Sequence, residues 1–203
     1  LYVAPLALTR NNNNLPMKKK EVSASMDIGD IHSSVAHSRG IQGSMERREI
    51  KVSKQNNNKP KLTVLTWNIW FEPKNLKERT LRIVQTIKQL EPDLVCLQEV
   101  TEQSYNLIKS RLLNYQIFQI FLEQGYGYGT CVLCKTTTIE VVDPYYYDYP
   151  QTQMGRRIVG CEVKLLQHGG QTLHIMTTHL ESMWENKDVR NLQFETIKEV
   201  IKD

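Results

Sequence analysis

The chain has 203 residues, a formal net charge of +4, a pI near 8.8 and a mean hydropathy of −0.46. It contains no run of about eighteen apolar residues, which excludes a membrane-spanning helix. Its four cysteines follow no framework spacing, which argues against a disulfide-built scaffold and for reduced thiols in an intracellular protein.

Charge and aromatic content divide the chain at about residue 60. Residues 1–60 hold one aromatic residue, Tyr2, the asparagine runs Asn11–Asn14 and Asn56–Asn58, and ten Lys/Arg against five Asp/Glu. With no sustained apolar period, this segment is expected to be a disordered, basic, Asn-rich tail that cannot offset its ordering entropy. Lys18-Lys19-Lys20 reads as a solvated linker, or as a basic arm with non-specific affinity for nucleic acid. Leu1–Leu8 is apolar and short, and leaves a targeting sequence open. Residues 61–203 carry sixteen Lys/Arg against seventeen Asp/Glu, enough chain for one domain with one core and no excess of basic charge.

Within that domain the periods alternate. Leu62–Trp67 predicts a strand, and Asn75 three residues before Glu78 predicts a capping box. Leu76, Thr80, Ile83, Val84 and Ile87 then share a helical face that Pro92 ends. Asp93–Leu97 reads as a strand covered on both sides, and Glu102–Leu113 as a second helix. Strands follow near Tyr115–Leu122, Thr130–Lys135, Ile139–Val142, Ile158–Leu165 and Leu173–Thr178. Cys131 and Cys134, an odd distance apart in a strand, should point to opposite faces and make a poor zinc or redox pair. Tyr145-Tyr146-Tyr147-Asp148-Tyr149 reads as an irregular loop whose rings pack on a sheet edge, with stacking of single-stranded bases as the alternative. Val189, Leu192, Gln193, Thr196, Ile197, Val200 and Ile201 form the stripe of a last helix. The chain starts at Leu1 rather than Met and stops within that helix, so it is expected to be part of a longer protein, to expose apolar surface when isolated and to associate.

Chemistry-bearing residues fall in four islands: Thr66-Trp67-Asn68, Leu97-Gln98-Glu99, Gly155-Arg156-Arg157 and Thr178-His179-Leu180-Glu181-Ser182. Asn68 and Glu99 each follow an apolar strand, and the helix between them is long enough for a crossover that sets their strand ends side by side. A carboxylate and an amide oxygen there suit a hard cation, and an arginine and a histidine suit a phosphate ester. Alternation places Arg156 and Arg157 on opposite strand faces, Arg157 toward solvent or an ion pair. Trp70 and Phe71 are expected at the rim, contacting a DNA base or walling the pocket.

The T-W-N, L-Q-E and H-L-E-S islands, with Asn75-Leu76-Lys77-Glu78-Arg79 and Pro150–Arg156, resemble the endonuclease/exonuclease/phosphatase superfamily, and within it the 5′-tyrosyl-DNA phosphodiesterases, from about Lys61 to Asp203. The resemblance implies an α/β fold, a two-sheet sandwich with outer helices. It also implies Mg²⁺-dependent hydrolysis, with Mn²⁺ as substitute, of the bond joining a protein tyrosine to a DNA 5′ end, in the nucleus or also the cytoplasm, and no membrane partner. Carried over residue by residue, Asn68, Glu99 and His179 become catalytic, and Glu99 and Asn68 metal-binding. Asn68, Tyr128, Arg156, His179, Leu180, Glu181 and Ser182 become substrate-binding; Tyr126 competes with Tyr128, which aligns without a gap.

Two departures stand out. Ile69-Trp70-Phe71 replaces the I-D-G pattern of that family, removing an acidic DNA-end contact or passing it to Glu72. The G-D-x-N and S-D-H segments, with a water-activating aspartate and a phosphate-stabilising histidine, do not occur. The chain is therefore expected to be inactive alone. RNA-tail, phosphoinositide or sphingolipid phosphoesterases and a non-catalytic interaction protein remain as alternative functions, and the oligomeric state stays open.

Overall fold

In the computed structural model, which describes residues 17–20 and 61–202, the first predicted crossover is present. Strand β2 (Val64–Asn68), helix α1 (Leu76–Leu90) and strand β3 (Leu94–Thr101) form a unit whose strands pair in parallel, Val64 opposite Leu94 and Asn68 opposite Gln98. Leu76, Thr80, Ile83, Val84 and Ile87 recur every three to four residues and are all buried, so the helix is held by its apolar face. The expected Asn75–Glu78 capping box does not form. Asn75 adopts a left-handed conformation, φ 53°, and its side chain makes no cap hydrogen bond, because side-chain capping needs an extended residue at that position. Arg79 secures the entry instead, donating to the carbonyls of Lys74, Trp70 and Glu72.

Helix α2 (Glu102–Arg111) has the capping box that α1 lacks, between Thr101 and Ser104. Strands β4 (Tyr115–Phe118) and β5 (Tyr128–Lys135) complete a four-stranded sheet in the order β2-β3-β5-β4. The second sheet contains β6 (Ile139–Asp148), β7 (Arg157–Leu165) and β8 (Gln171–Thr178), with β1 (Lys18–Lys19) at its far edge, in the order β1-β6-β7-β8. Helix α3 (Lys187–Lys202) follows.

The strand period sorts the core into layers. On β5, Cys131 and Leu133 face α1 and α2 with Ile83, Ile87 and Ile108, whereas Val132 and Cys134 face Val159 and Cys161 of the other sheet. The C-x-x-C pair thus points to opposite faces, as its odd spacing predicts. All four cysteines are free and buried, and burial pushes the Cys96 thiol up to about 11.

Two expectations change, and a third is met in part. The tyrosine cluster is not an irregular loop: β6 runs unbroken to Asp148, and Tyr145, Tyr147 and Tyr149 are buried on one face against Ile158 and Val200. Consecutive tyrosines and Pro144 mask the period of two, and burial removes these rings from any base stacking. Lys18–Lys19 is no solvated linker, because it pairs in parallel with Tyr145–Tyr146. Lys18 lies 2.9 Å from Asp143 and Lys19 3.2 Å from Asp148, while the Lys20 ammonium stands 4.0 Å from the centre of the Tyr145 ring. The rest of the predicted tail lies outside the described residues. On α3 the predicted stripe is only partly covered: Gln193, Thr196 and Val200 are buried, while Leu192 and Ile201 are exposed.

Asp93 ties the starts of β2 and β3 together. One carboxylate oxygen accepts from the Thr63 N–H at 2.7 Å and the Thr63 hydroxyl at 2.6 Å. Burial pushes its pKa up, but hydrogen bonds from Thr63 and Thr138 and the charge of Lys135 outweigh this and leave it below the ordinary carboxylate value. A lowered folded-state pKa means that the contribution is complete above the unfolded value and disappears as pH falls through the folded one. Asp93→Asn is therefore expected to cost about 1 kcal/mol at pH 7, discounted for partial exposure, and progressively less as pH falls below the ordinary carboxylate range. Denaturant unfolding of both proteins from pH 7 into the acid range checks it, and a loss that does not shrink with falling pH would contradict it.

Candidate active site

Asn68 is the last residue of β2, and Glu99 lies within β3 at an irregularity rather than after the strand. The pairing of β3 with β5 shifts register between Leu97 and Val100, and Glu99 adopts φ 59°. A bulge of this kind re-aims one side chain without ending the strand. The Asn68 amide nitrogen donates to Glu99 Oε1 at 2.8 Å, and the Phe71 N–H donates to Glu99 Oε2 at 3.1 Å. The Trp70 N–H donates to Asn68 Oδ1 at 3.0 Å, which fixes the amide so that its nitrogen faces the carboxylate.

The second sheet supplies His179, the first residue after β8. Its Nε2 is 3.0 Å from Glu99 Oε1, and its Nδ1 is 2.8 Å from the Leu180 carbonyl, so each ring nitrogen faces an oxygen acceptor. Behind this contact the Gln98 amide spans both sheets, donating to Thr66 Oγ1 at 3.3 Å and Thr177 Oγ1 at 3.0 Å. Partial burial pushes Glu99 up, yet the hydrogen bonds from Asn68, His179 and Phe71 prevail and hold it below the usual carboxylate range. The group is an anion at neutral pH.

Arg156 reaches the neighbouring pocket, whose lining includes His179, Tyr128, Thr130 and Gly155. Its Nη2 donates to the Tyr128 hydroxyl at 3.1 Å and Ser182 Oγ at 3.2 Å, while its buried Nε has no protein acceptor. The Tyr128 ring stacks on Phe71 with centroids 4.4 Å apart and planes 7° from parallel. Of the two candidate tyrosines, Tyr128 is the one that reaches Arg156. Tyr126 packs over Gly155, where φ is 63° and an added Cβ would come within 2.1 Å of the ring, so this turn requires glycine.

Several predicted site residues have other duties. Glu181 is 2% exposed, and its carboxylate accepts from Thr152 Oγ1 (3.0 Å), the Gln153 and Met154 N–H groups (2.8 Å each) and Gln193 Nε2 (3.2 Å). It is committed to the loop that carries Arg156 and cannot also receive substrate. Leu180 turns its side chain into the cluster of Tyr145, Tyr147 and Val200, leaving its carbonyl to His179. Asn68, expected among the metal ligands, offers Glu99 its nitrogen and so positions that carboxylate. Arg157, expected at solvent or in an ion pair, is buried and takes the ion pair, 3.4 Å from Asp148, with its guanidinium over the rings of Tyr126 and Tyr146. At that length the pair is a charge contact without hydrogen-bond geometry, consistent with the unbonded Asp148 Oδ1. Gln98, Thr152, Gln193 and the Phe71 N–H escaped sequence reading because their roles arise from pairing across the fold.

The pattern of the Endonuclease/Exonuclease/phosphatase family matches residues 65–192. The chain belongs to that family. It is 27% identical to tyrosyl-DNA phosphodiesterase 2 of Danio rerio over 144 residues, 70% of this chain and 37% of that protein. It is 31% identical to the Mus musculus protein of the same name over 137 residues, 67% of this chain and 35% of that one. A crystal structure of D. rerio TDP2 complexed with single strand DNA product superposes with a TM-score of 0.64 at 27% identity, covering 70% of this chain and 55% of the other. The two-sheet α/β fold is thus shared, and the chain spans little more than a third of these two curated relatives.

Divalent metals are general cofactors of the family. Among the described residues no group of three or more His, Cys, Asp or Glu side chains gathers to hold an ion. One ionised carboxylate beside the pocket that Arg156 and His179 line does fit Mg²⁺, which commonly takes one or two protein carboxylates, substrate oxygens and water. Glu99 is the side chain here that would hold it.

The support of Arg156 generates a prediction. Glu181→Gln replaces an acceptor with an NH₂ group facing buried donors, which should cost about 2 kcal/mol in denaturant unfolding. A change within a few tenths of a kcal/mol would show that Glu181 does not brace the loop.

Proposed function

We propose that the protein is a Mg²⁺-dependent phosphodiesterase, with Mn²⁺ as substitute, acting on DNA 5′ ends that carry a tyrosyl or peptide adduct, a substrate that suits a nuclear location. The observation that carries this reading is the ionised Glu99, fixed by Asn68 and His179 beside Arg156 and its unpartnered Nε. The relatives' name and the single strand DNA product in one related structure point to the same substrate class.

Each side chain has a definable task. Glu99 holds the cation, which when bound supplies Lewis-acid relief of charge on a phosphate oxygen. Arg156 uses its planar donors to bind phosphate oxygens, with Tyr128 and Ser182 fixing the guanidinium. His179, with Nε2 on Glu99 Oε1 and Nδ1 on the Leu180 carbonyl, orients the carboxylate at the edge of the phosphate pocket. A tyrosine leaving group, with a phenol pKa of about 10, needs less proton donation than an alkoxide does.

Activation of water is the step for which the described residues supply no group. Glu181 is enclosed, Glu99 is reserved for the cation, and neither G-D-x-N nor S-D-H occurs in the sequence. Lack of a general base costs about 10²–10⁴-fold in rate. The 203-residue chain should therefore bind a 5′-phosphotyrosyl oligonucleotide and turn it over slowly or not at all.

Binding and hydrolysis of a 5′-phosphotyrosyl single-stranded oligonucleotide, measured with and without Mg²⁺, test the proposal. Affinity should rise with Mg²⁺, lose that dependence in Glu99→Gln, and fall about tenfold or more in Arg156→Ala, which removes charge-assisted hydrogen bonds. Preferential binding of an RNA tail, a phosphoinositide or a sphingolipid headgroup would overturn it. Equal affinity of all three proteins for the DNA adduct would do so as well.

A further inference from the structure

Trp70 is held in a conformation that its own chemistry disfavours. Its φ is 61°, a left-handed value uncommon for a bulky residue, which persists where surrounding contacts fix it. Those contacts are present. The Trp70 N–H donates to Asn68 Oδ1 at 3.0 Å, its carbonyl accepts from Arg79 Nη2 at 2.7 Å, and the Arg79 guanidinium stands 4.7 Å from the centre of its ring.

The indole is thereby backed on one face by a cation, yet Trp70 is 50% exposed and belongs to none of the buried clusters. A pocket wall would be packed from behind by apolar neighbours, whereas this ring is held by polar ones. One residue, Ile69, separates it from Asn68, so their Cα atoms lie within about 7.6 Å. The next residue, Phe71, gives its N–H to Glu99 and one ring face to Tyr128. The indole is therefore an open aromatic surface beside the groups that would hold a terminal phosphate.

We infer that Trp70 is a stacking platform for an unpaired nucleobase at the 5′ end of single-stranded DNA, an extension that rests on the DNA-end reading above. Every nucleobase has a π-face, so such a platform strengthens binding with little sequence preference. The Arg79 guanidinium behind the ring adds positive charge near the phosphate. Ile69-Trp70-Phe71 replaces the acidic residue of the resembled pattern, so the chain would grip its DNA end by stacking at a position where that pattern carries a carboxylate.

Fluorescence anisotropy with the full 203-residue chain tests the inference. The probes are two 5′-phosphorylated single-stranded oligonucleotides that differ only in whether the terminal nucleotide is intact or abasic. The wild-type chain should bind the intact end about tenfold more tightly. Trp70→Gly, which suits the positive φ, should abolish that difference while its thermal midpoint stays the same or rises. Trp70→Phe should restore part of the difference. Persistence of the tenfold preference in Trp70→Gly, or equal binding of both probes by the wild-type chain, would overturn the stacking role and leave the DNA-end reading standing. Wild-type binding of neither probe would overturn both.

Discussion

The Glu99 carboxylate is the point where the two sheets and the loop after β2 meet, and the rest of the site takes its geometry from it. Asn68 reaches it from the end of β2, Phe71 from the following loop and His179 from the end of β8. Those hydrogen bonds keep it ionised despite partial burial, and the bulge with φ 59° aims it away from the regular alternation of β3. Strain, register shift and convergent donors at one residue are what a pre-organised ligand position requires, because a group that must reorganise to receive a cation loses part of its binding energy.

A second carboxylate, Glu181, shows what burial does to the same functional group. It has at least four donors and almost no exposure, so its charge serves to hold residues 152–154 and, through them, Arg156. Thr152 transmits that order directly, since its Oγ1 donates to Glu181 and accepts the Arg156 N–H at 2.7 Å. Glu181 also joins the loop to α3, through the mutual hydrogen bonds with Gln193. The site is thus built on two carboxylates, Glu99 partly open beside the pocket and Glu181 sealed to support its cationic side.

Much of the fold was legible because it depends on period. The face of α1 from Leu76 to Ile87, the apolar run of β3 and the separation of Cys131 from Cys134 all follow from local spacing. The four islands also converge as expected, since crossover geometry brings Asn68 beside Glu99. Features set by partners distant in sequence were not legible. Glu181 and Ser182 are adjacent in H-L-E-S, yet only folding sends one carboxylate inward to Gln153 and leaves the neighbouring hydroxyl for Arg156. An ion pair was legible as one of two fates for Arg157, but its burial was not, because Asp148, Tyr126 and Tyr146 come together around it only in the fold. The strand at Lys18–Lys19 carries no apolar signal, since its order comes from backbone pairing and the acidic groups of β6. The Glu99 bulge has no signature in L-Q-E, because it arises from the mismatch between β3 and β5.

Nuclear magnetic resonance with substoichiometric Mn²⁺ addresses the role of Glu99 most directly. If Glu99 holds the cation, paramagnetic broadening should fall first on the Phe71 amide, the Asn68 side-chain amide and the His179 ring, and vanish in Glu99→Gln. Broadening that persists in Glu99→Gln, or that begins at the exposed acidic residues Glu185 and Asp188 near the start of α3, would place the metal elsewhere and contradict the role assigned to Glu99.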